Sequence, residues 1–101
     1  MVMQRSLITS SFVFKYWCSK LKPIWSLDTE TTSLKYIDLE IVGFSICDGK
    51  QVCYVDLQYA EQFEPKQVFL DILKFYLSES QLVIFHNSSF DLGVLRKYGV
   101  V

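Results

Sequence analysis

Apolar positions along this chain change period several times, and each change marks a predicted element. Phe14, Trp17, Cys18 and Leu21 fall at i, i+3, i+4 and i+7, the stripe of a helix with one buried face. Ser10 or Ser11 suits its N-cap, Pro23 stops the segment, and residues 5–9 read weakly as a strand before it. A short strand follows from Ile24 to Asp28. Residues 39–47 and 51–57 alternate around Asp48-Gly49, a hairpin signal, so that Val42, Phe44 and Ile46 meet Cys53, Val55 and Leu57. Pro65 fits the first position of a helix running to about Leu77, with Val68, Phe69, Ile72, Leu73, Phe75 and Tyr76 as its apolar face. Leu82-Val83-Ile84-Phe85 is a continuous apolar run, as expected of a central parallel strand covered on both sides. A last helix from Ser89 to about Tyr98 ends at Gly99, in the position that favours a left-handed residue. This order predicts an α/β domain whose sheet has mixed strand directions, one domain over residues 1–101.

Composition narrows the classes. Half the residues are apolar, which excludes disorder, and a formal charge of −1 gives no overall attraction for a polyphosphate. A nucleic-acid role would then rest on a local site with metal ions rather than on a basic surface. Three cysteines without a C-x-x-C pair and a single histidine supply no zinc-ligand set, so reduced thiols in an intracellular, cytoplasmic protein are expected. No apolar run approaches a membrane span. Residues 1–27 lack Asp and Glu and carry Arg5, Lys15, Lys20 and Lys22, a transit-peptide-like composition. The apolar stripe favours the competing reading, a strand and helix packed on the domain.

Candidate chemistry begins at Leu27-Asp28-Thr29-Glu30-Thr31-Thr32-Ser33-Leu34-Lys35. On an extended chain Asp28 and Glu30 leave the same face, roughly 6.5–7 Å apart along the backbone. That spacing lets both bend onto one divalent cation, and without a cation it sets like charges against each other. Acids on the core side of an apolar strand are costly unless paired or metal-bound. Glu30 and the threonines also suit an ordinary polar loop after a strand. Asp91, three residues after Ser88, suits an N-terminal helix cap as well as a ligand.

The first stretch resembles motif one of the four-acid 3′–5′ exonucleases, most closely the proofreading domain of bacterial family A DNA polymerases. His86-Asn87-Ser88-Ser89-Phe90-Asp91-Leu92 resembles their second motif, an Asn followed by an aromatic-Asp pair. The resemblance implies a ribonuclease H-like fold, a mixed sheet flanked by helices, and hydrolysis of nucleotides from a 3′ end with two Mg²⁺ or Mn²⁺ ions. It implies that Asp28 bridges both ions, Glu30 holds the nucleophile-side ion and Asp91 supports the second. Thr31, Leu34, Asn87 and Phe90 match substrate-side positions, with Leu34 as an apolar wedge against a base. His86 does not match the family's general base.

A fourth acid, in a later Tyr-x-x-x-Asp or His-x-x-x-Asp motif, has no match, because none of the ten residues after Asp91 is acidic. Tyr36 and Glu40 have similar spacing but precede the second motif. The chain therefore resembles the N-terminal part of an exonuclease domain, short of its last strand and helix and expected to be inactive alone. The implied partner is the 3′ end of single-stranded DNA, with a polymerase domain or a second chain completing the fold. The alternatives are a ribonuclease D-like exoribonuclease and a non-catalytic remnant or nucleic-acid-end binding module.

Overall fold

Strand pairing joins the alternating segments into one sheet. The computed structural model describes residues 3–33 and 39–101, so Leu34, Tyr36 and Asp38 lie outside the described residues. The elements are β1 (Gln4–Ile8), α1 (Ser11–Cys18), β2 (Ile24–Thr31), β3 (Ile41–Cys47), β4 (Gln51–Asp56), α2 (Leu57–Ala60), α3 (Lys66–Glu79), β5 (Leu82–Phe85) and α4 (Ser88–Lys97). The five strands lie in the order β1-β4-β3-β2-β5. β2, β3 and β4 are antiparallel neighbours, while β1 runs parallel to β4 and β5 parallel to β2. The mixed α/β architecture read from the sequence is thus present.

One face of the sheet holds the core. Trp25 and Leu27 of β2, Phe44 and Ile46 of β3, and Cys53 and Val55 of β4 join Phe14, Trp17 and Cys18 of α1 and Phe69, Leu70 and Leu73 of α3 in one buried cluster. Phe14 meets Phe44 edge to face, ring centroids 5.4 Å apart; such pairs contribute about 0.5–1.5 kcal/mol beyond their burial. The opposite face is open at both margins: Leu7 is 70% exposed on β1, and Leu82 and Ile84 are each 52% exposed on β5.

Several expectations are corrected. Leu82–Phe85 is an edge strand with one face exposed, not a central strand covered on both sides. An apolar run reads the same in either position, and only the pairing distinguishes them. Asp28 and Glu30 lie on the open face, half-buried and exposed, opposite buried Trp25, Leu27 and Thr29; they are not on the core side. The hairpin loop lies one residue later than a central Asp-Gly pair would set it, which shifts the pairing register by two. Asp48 N–H donates to Gln51 O and Cys47 pairs with Val52, leaving Gly49 and Lys50 as the loop. Gly49 takes φ 91°, the positive angle that a type II′ turn needs at its first central position. A slip of two preserves the faces, so Phe44 still meets Val55 and Ile46 meets Cys53. Cys47 falls on the other face from Cys53, and all three cysteines are free. Burial pushes the Cys53 thiol up to about 12 and raises that of Cys18 well above its ordinary range.

Pro65 takes the N-cap of α3 rather than its first helical position. The face of α3 turns toward Leu70, leaving Val68 and Phe75 exposed. Asp56 caps the short α2, accepting from Tyr59 N–H at 3.0 Å, where the sequence pattern continued a strand. α4 is capped by Asn87, whose side chain accepts from Phe90 N–H, and is followed by Gly99 at φ 73°. There Val100 N–H reaches Leu95 O at 2.8 Å and Gly99 N–H reaches Arg96 O at 3.1 Å, while Val100 itself is buried. These bonds form a Schellman motif.

Candidate active site

Asp28 and Glu30 lie where β2 outruns its neighbour, and Asp91 lies in the first turn of the adjacent α4. β5 pairs with β2 only as far as Leu27↔Phe85, and His86 N–H to Leu27 O is the last ladder bond. Beyond it, Asp28, Thr29 and Glu30 pair with Ser45, Phe44 and Gly43 of β3 alone, with a register shift between Glu30 and Thr31. α4 begins beside this overhang. Such a crevice past the carboxyl ends of strands is where open α/β sheets take ligands.

Asp91 closes the overhang. Only 1% exposed, its Oδ1 accepts from Thr29 N–H at 3.3 Å and from Thr29 Oγ1 at 2.5 Å, and its Oδ2 accepts from Asn87 N–H at 3.1 Å. Thr29 N–H points the same way as Leu27 O, two residues along an extended strand. The carboxylate therefore takes the ladder position that β5 leaves vacant. Its place in the first turn of α4 also sets a negative charge against the positive end of the helix dipole. Asp91 thus lies against the residue between the two motif-one acids, with its oxygens turned to the Thr29 side.

The other predicted residues divide. Asp28 and Glu30 share the open face. Thr31, half-buried, donates from Oγ1 to Ser33 O at 2.8 Å. Asn87 is the exposed cap of α4, and Phe90 is half-buried against the core. His86 is exposed at the end of β5. Leu34 is outside the described residues. Glu40, paired with neither motif, is bonded to Lys66 Nζ at 2.9 Å and to Tyr98 Oη at 3.0 Å; the Lys66 ammonium and then the Tyr98 hydroxyl hold its carboxyl below the usual range. Two residues near the acids escaped the sequence reading. Thr29 points inward between them, and no local pattern announces its bond to a residue 62 positions away. Tyr54 reaches the acidic face only through the strand register.

The donor set suits a hard divalent ion in part. Mg²⁺ is commonly bound by one or two carboxylates, with water and substrate phosphate filling the rest. Asp28 and Glu30 meet that need from one face. Among the described residues no group of three or more His, Cys, Asp or Glu could hold a metal ion.

Residues 6–101 match the 3′–5′ exonuclease family, and the chain belongs to that family. It is 32% identical over 81 residues to DNA polymerase I of Chloroflexus aurantiacus, an alignment that covers 77% of this chain and 9% of the polymerase. The EXO domain of Aedes aegypti Nibbler has the same fold, with a TM-score of 0.67 at 13% identity over 97% of this chain and 47% of that one. The chain thus spans less than half the length of each of these relatives.

Proposed function

We propose that this chain is the motif-bearing front of a proofreading-type 3′–5′ exonuclease domain acting on the 3′ end of single-stranded DNA, within a larger polymerase or completed by a second chain. The observation that carries the reading is the pair Asp28 and Glu30, side by side on the open face at the overhanging end of β2, beside the start of α4. The likeness to a DNA polymerase I supports DNA over RNA. Asp28 and Glu30 would hold Mg²⁺ or Mn²⁺, which when bound supplies an activated water and charge compensation at the phosphorus and the leaving 3′ oxygen. Asp91 fixes the end of β2 and, in the same reading, supports a second ion. Thr31, Leu34, Asn87 and Phe90 orient the terminal nucleotide.

With Asp91 committed to Thr29 and Asn87, and with no fourth acid, the chain alone should bind the metal weakly and cleave very slowly. Loss of one ligand in such chemistry costs several orders of magnitude in rate. Those same bonds favour one second reading, a non-catalytic module that binds nucleic-acid ends.

Mn²⁺ titration of the wild type and Asp28→Ala, followed by labelled DNA and RNA oligonucleotide assays, tests the proposal. Weak binding that Asp28→Ala abolishes is expected. Equal binding by both proteins would sink the metal reading. Robust 3′ shortening dependent on Asp28 would mean that another acid completes the site. A preference for RNA would move the substrate to the ribonuclease D-like class.

A further inference from the structure

β1 is an outer strand of the sheet, with β4 on one side and no strand among the described residues on the other. In a parallel pair each residue turns its N–H and C=O to the same side. Gln4 N–H donates to Lys50 O, so Gln4, Ser6 and Ile8 face β4, while Arg5 and Leu7 present their backbone groups to the free edge. Side chains alternate in the same way: Ile8 is buried on the α1 side, which puts Arg5 and Leu7 on the open face. A groove of about 390 Å³ lies between β1 and α1, with Leu7, Val13, Tyr16, Trp17 and Lys20 among its walls. β3 and β4 separate β1 from the strand that carries Asp28 and Glu30.

Two features define what fits there. The first is charge. Lys20 Nζ stands 4.7 Å from the centroid of the Tyr16 ring, and no Asp or Glu lines the groove. Asp48, the acid nearest in sequence to the β4 wall, is committed to the N–H groups of Lys22, Lys50 and Gln51. The second is an orphan donor. The buried indole N–H of Trp17 has no hydrogen-bond partner among the described residues, whereas that of Trp25 donates to Ser80 Oγ. A buried donor without an acceptor is costly. A free strand edge, a cation and an unpaired donor around an apolar wall suit an extended chain that carries carboxylates. A second copy of this chain does not suit it, because edge-to-edge pairing would bring Arg5 and Lys20 of both copies to one seam.

We propose that the β1 edge and its groove take an extended acidic segment of a partner protein, added as a sixth strand. Its backbone pairs with Arg5 and Leu7, which supplies affinity, and its alternate side chains supply selectivity. The pleat sets the pattern. One side chain enters the groove at Val13 and Tyr16, another on the same face, a carboxylate, lies against Lys20, and the intervening carboxylate faces Arg5. The segment brings the acceptor that the Trp17 indole N–H lacks.

The probe is the peptide acetyl-Thr-Glu-Val-Glu-Glu-Thr-amide, titrated into the full chain on an Ile84→Lys background so that the exposed β5 margin takes no part. Nitrogen–proton correlation spectra should show the Trp17 indole and the Arg5 and Leu7 amides shifting together, with the Trp25 indole unmoved as the internal control. Replacing the peptide's glutamates by lysines, or Lys20→Glu in the protein, should weaken binding about 10-fold. Leu7→Pro removes one outward N–H without touching the β1–β4 ladder and should weaken it by a similar factor. Should Leu7→Pro lose its fold, peptides N-methylated on alternate residues decide: one phase should abolish binding and the other leave it intact. Equal tolerance of both phases overturns strand addition, and equal affinity for the lysine peptide overturns the acidic partner. No shift of the Trp17 indole with the acidic peptide overturns the site. The same resonances shifting with an oligothymidylate but not with the peptide would make the occupant a nucleic acid and overturn the proposal.

Discussion

Asp91 meets the cost of burying a carboxylate with three donors from Thr29 and Asn87. Removing it strands those donors. Asp91→Ala should therefore destabilise the fold by about 2–4 kcal/mol, since each buried polar group left unsatisfied costs roughly 1–3 kcal/mol. Urea unfolding measures this. A loss below about 1 kcal/mol would mean that water replaces the carboxylate readily. Asp48 gives a pH signature. Although partial burial works the other way, the N–H groups of Gln51, Lys50 and Lys22 hold its carboxyl below the usual range. A carboxyl depressed in the folded state stabilises above its unfolded value, about 3.9, and loses that contribution as pH falls through its folded value. Asp48→Asn should therefore be less stable than wild type at pH 7, and the gap should close below about pH 4. Thermal melts between pH 2.5 and 7 check the sign.

At the scale of elements, Gly99 is the cleanest case. Its φ of 73° at the end of α4 permits both Schellman bonds, and Gly99→Ala should cost about 1 kcal/mol in a thermal melt. This cap was legible because its chemistry is local, as was the α1 stripe of Phe14, Trp17 and Cys18. What stayed hidden depends on distant partners or on a choice that the residue pattern leaves open. Asp48-Gly49 marked the turn, but Asp48 sits one place before the loop and caps it, which moved the register by two. The capped turn of α2 looks like the tail of a strand until Asp56 is seen accepting from Tyr59. The candidate site divides in the same way. Strand periodicity puts Asp28 and Glu30 on one face, but which face follows from the packing of Trp25 and Leu27.

For the whole molecule, the dominant fact is a sheet with its core on one side. Ile24, Leu82 and Ile84 form an exposed apolar strip along the β5 margin, beside an unpaired strand edge. Such edges recruit other chains unless charged or covered. The isolated chain should self-associate at micromolar concentration, and Ile84→Lys should suppress this with little change in Tm. Sedimentation velocity reads the outcome, and equal association by both proteins would place the contact elsewhere.

The bond between Thr29 N–H and Asp91 also makes the end of β2 into a reporter. An amide held by a strand exchanges its hydrogen only when the sheet opens, whereas this one is released whenever α4 lifts. Its exchange rate therefore gauges helix docking separately from global unfolding. In wild type the Thr29 amide should exchange faster than its neighbours in the β2–β3 ladder. In Asp91→Ala it should exchange faster still, while those neighbours change only by the overall loss of stability.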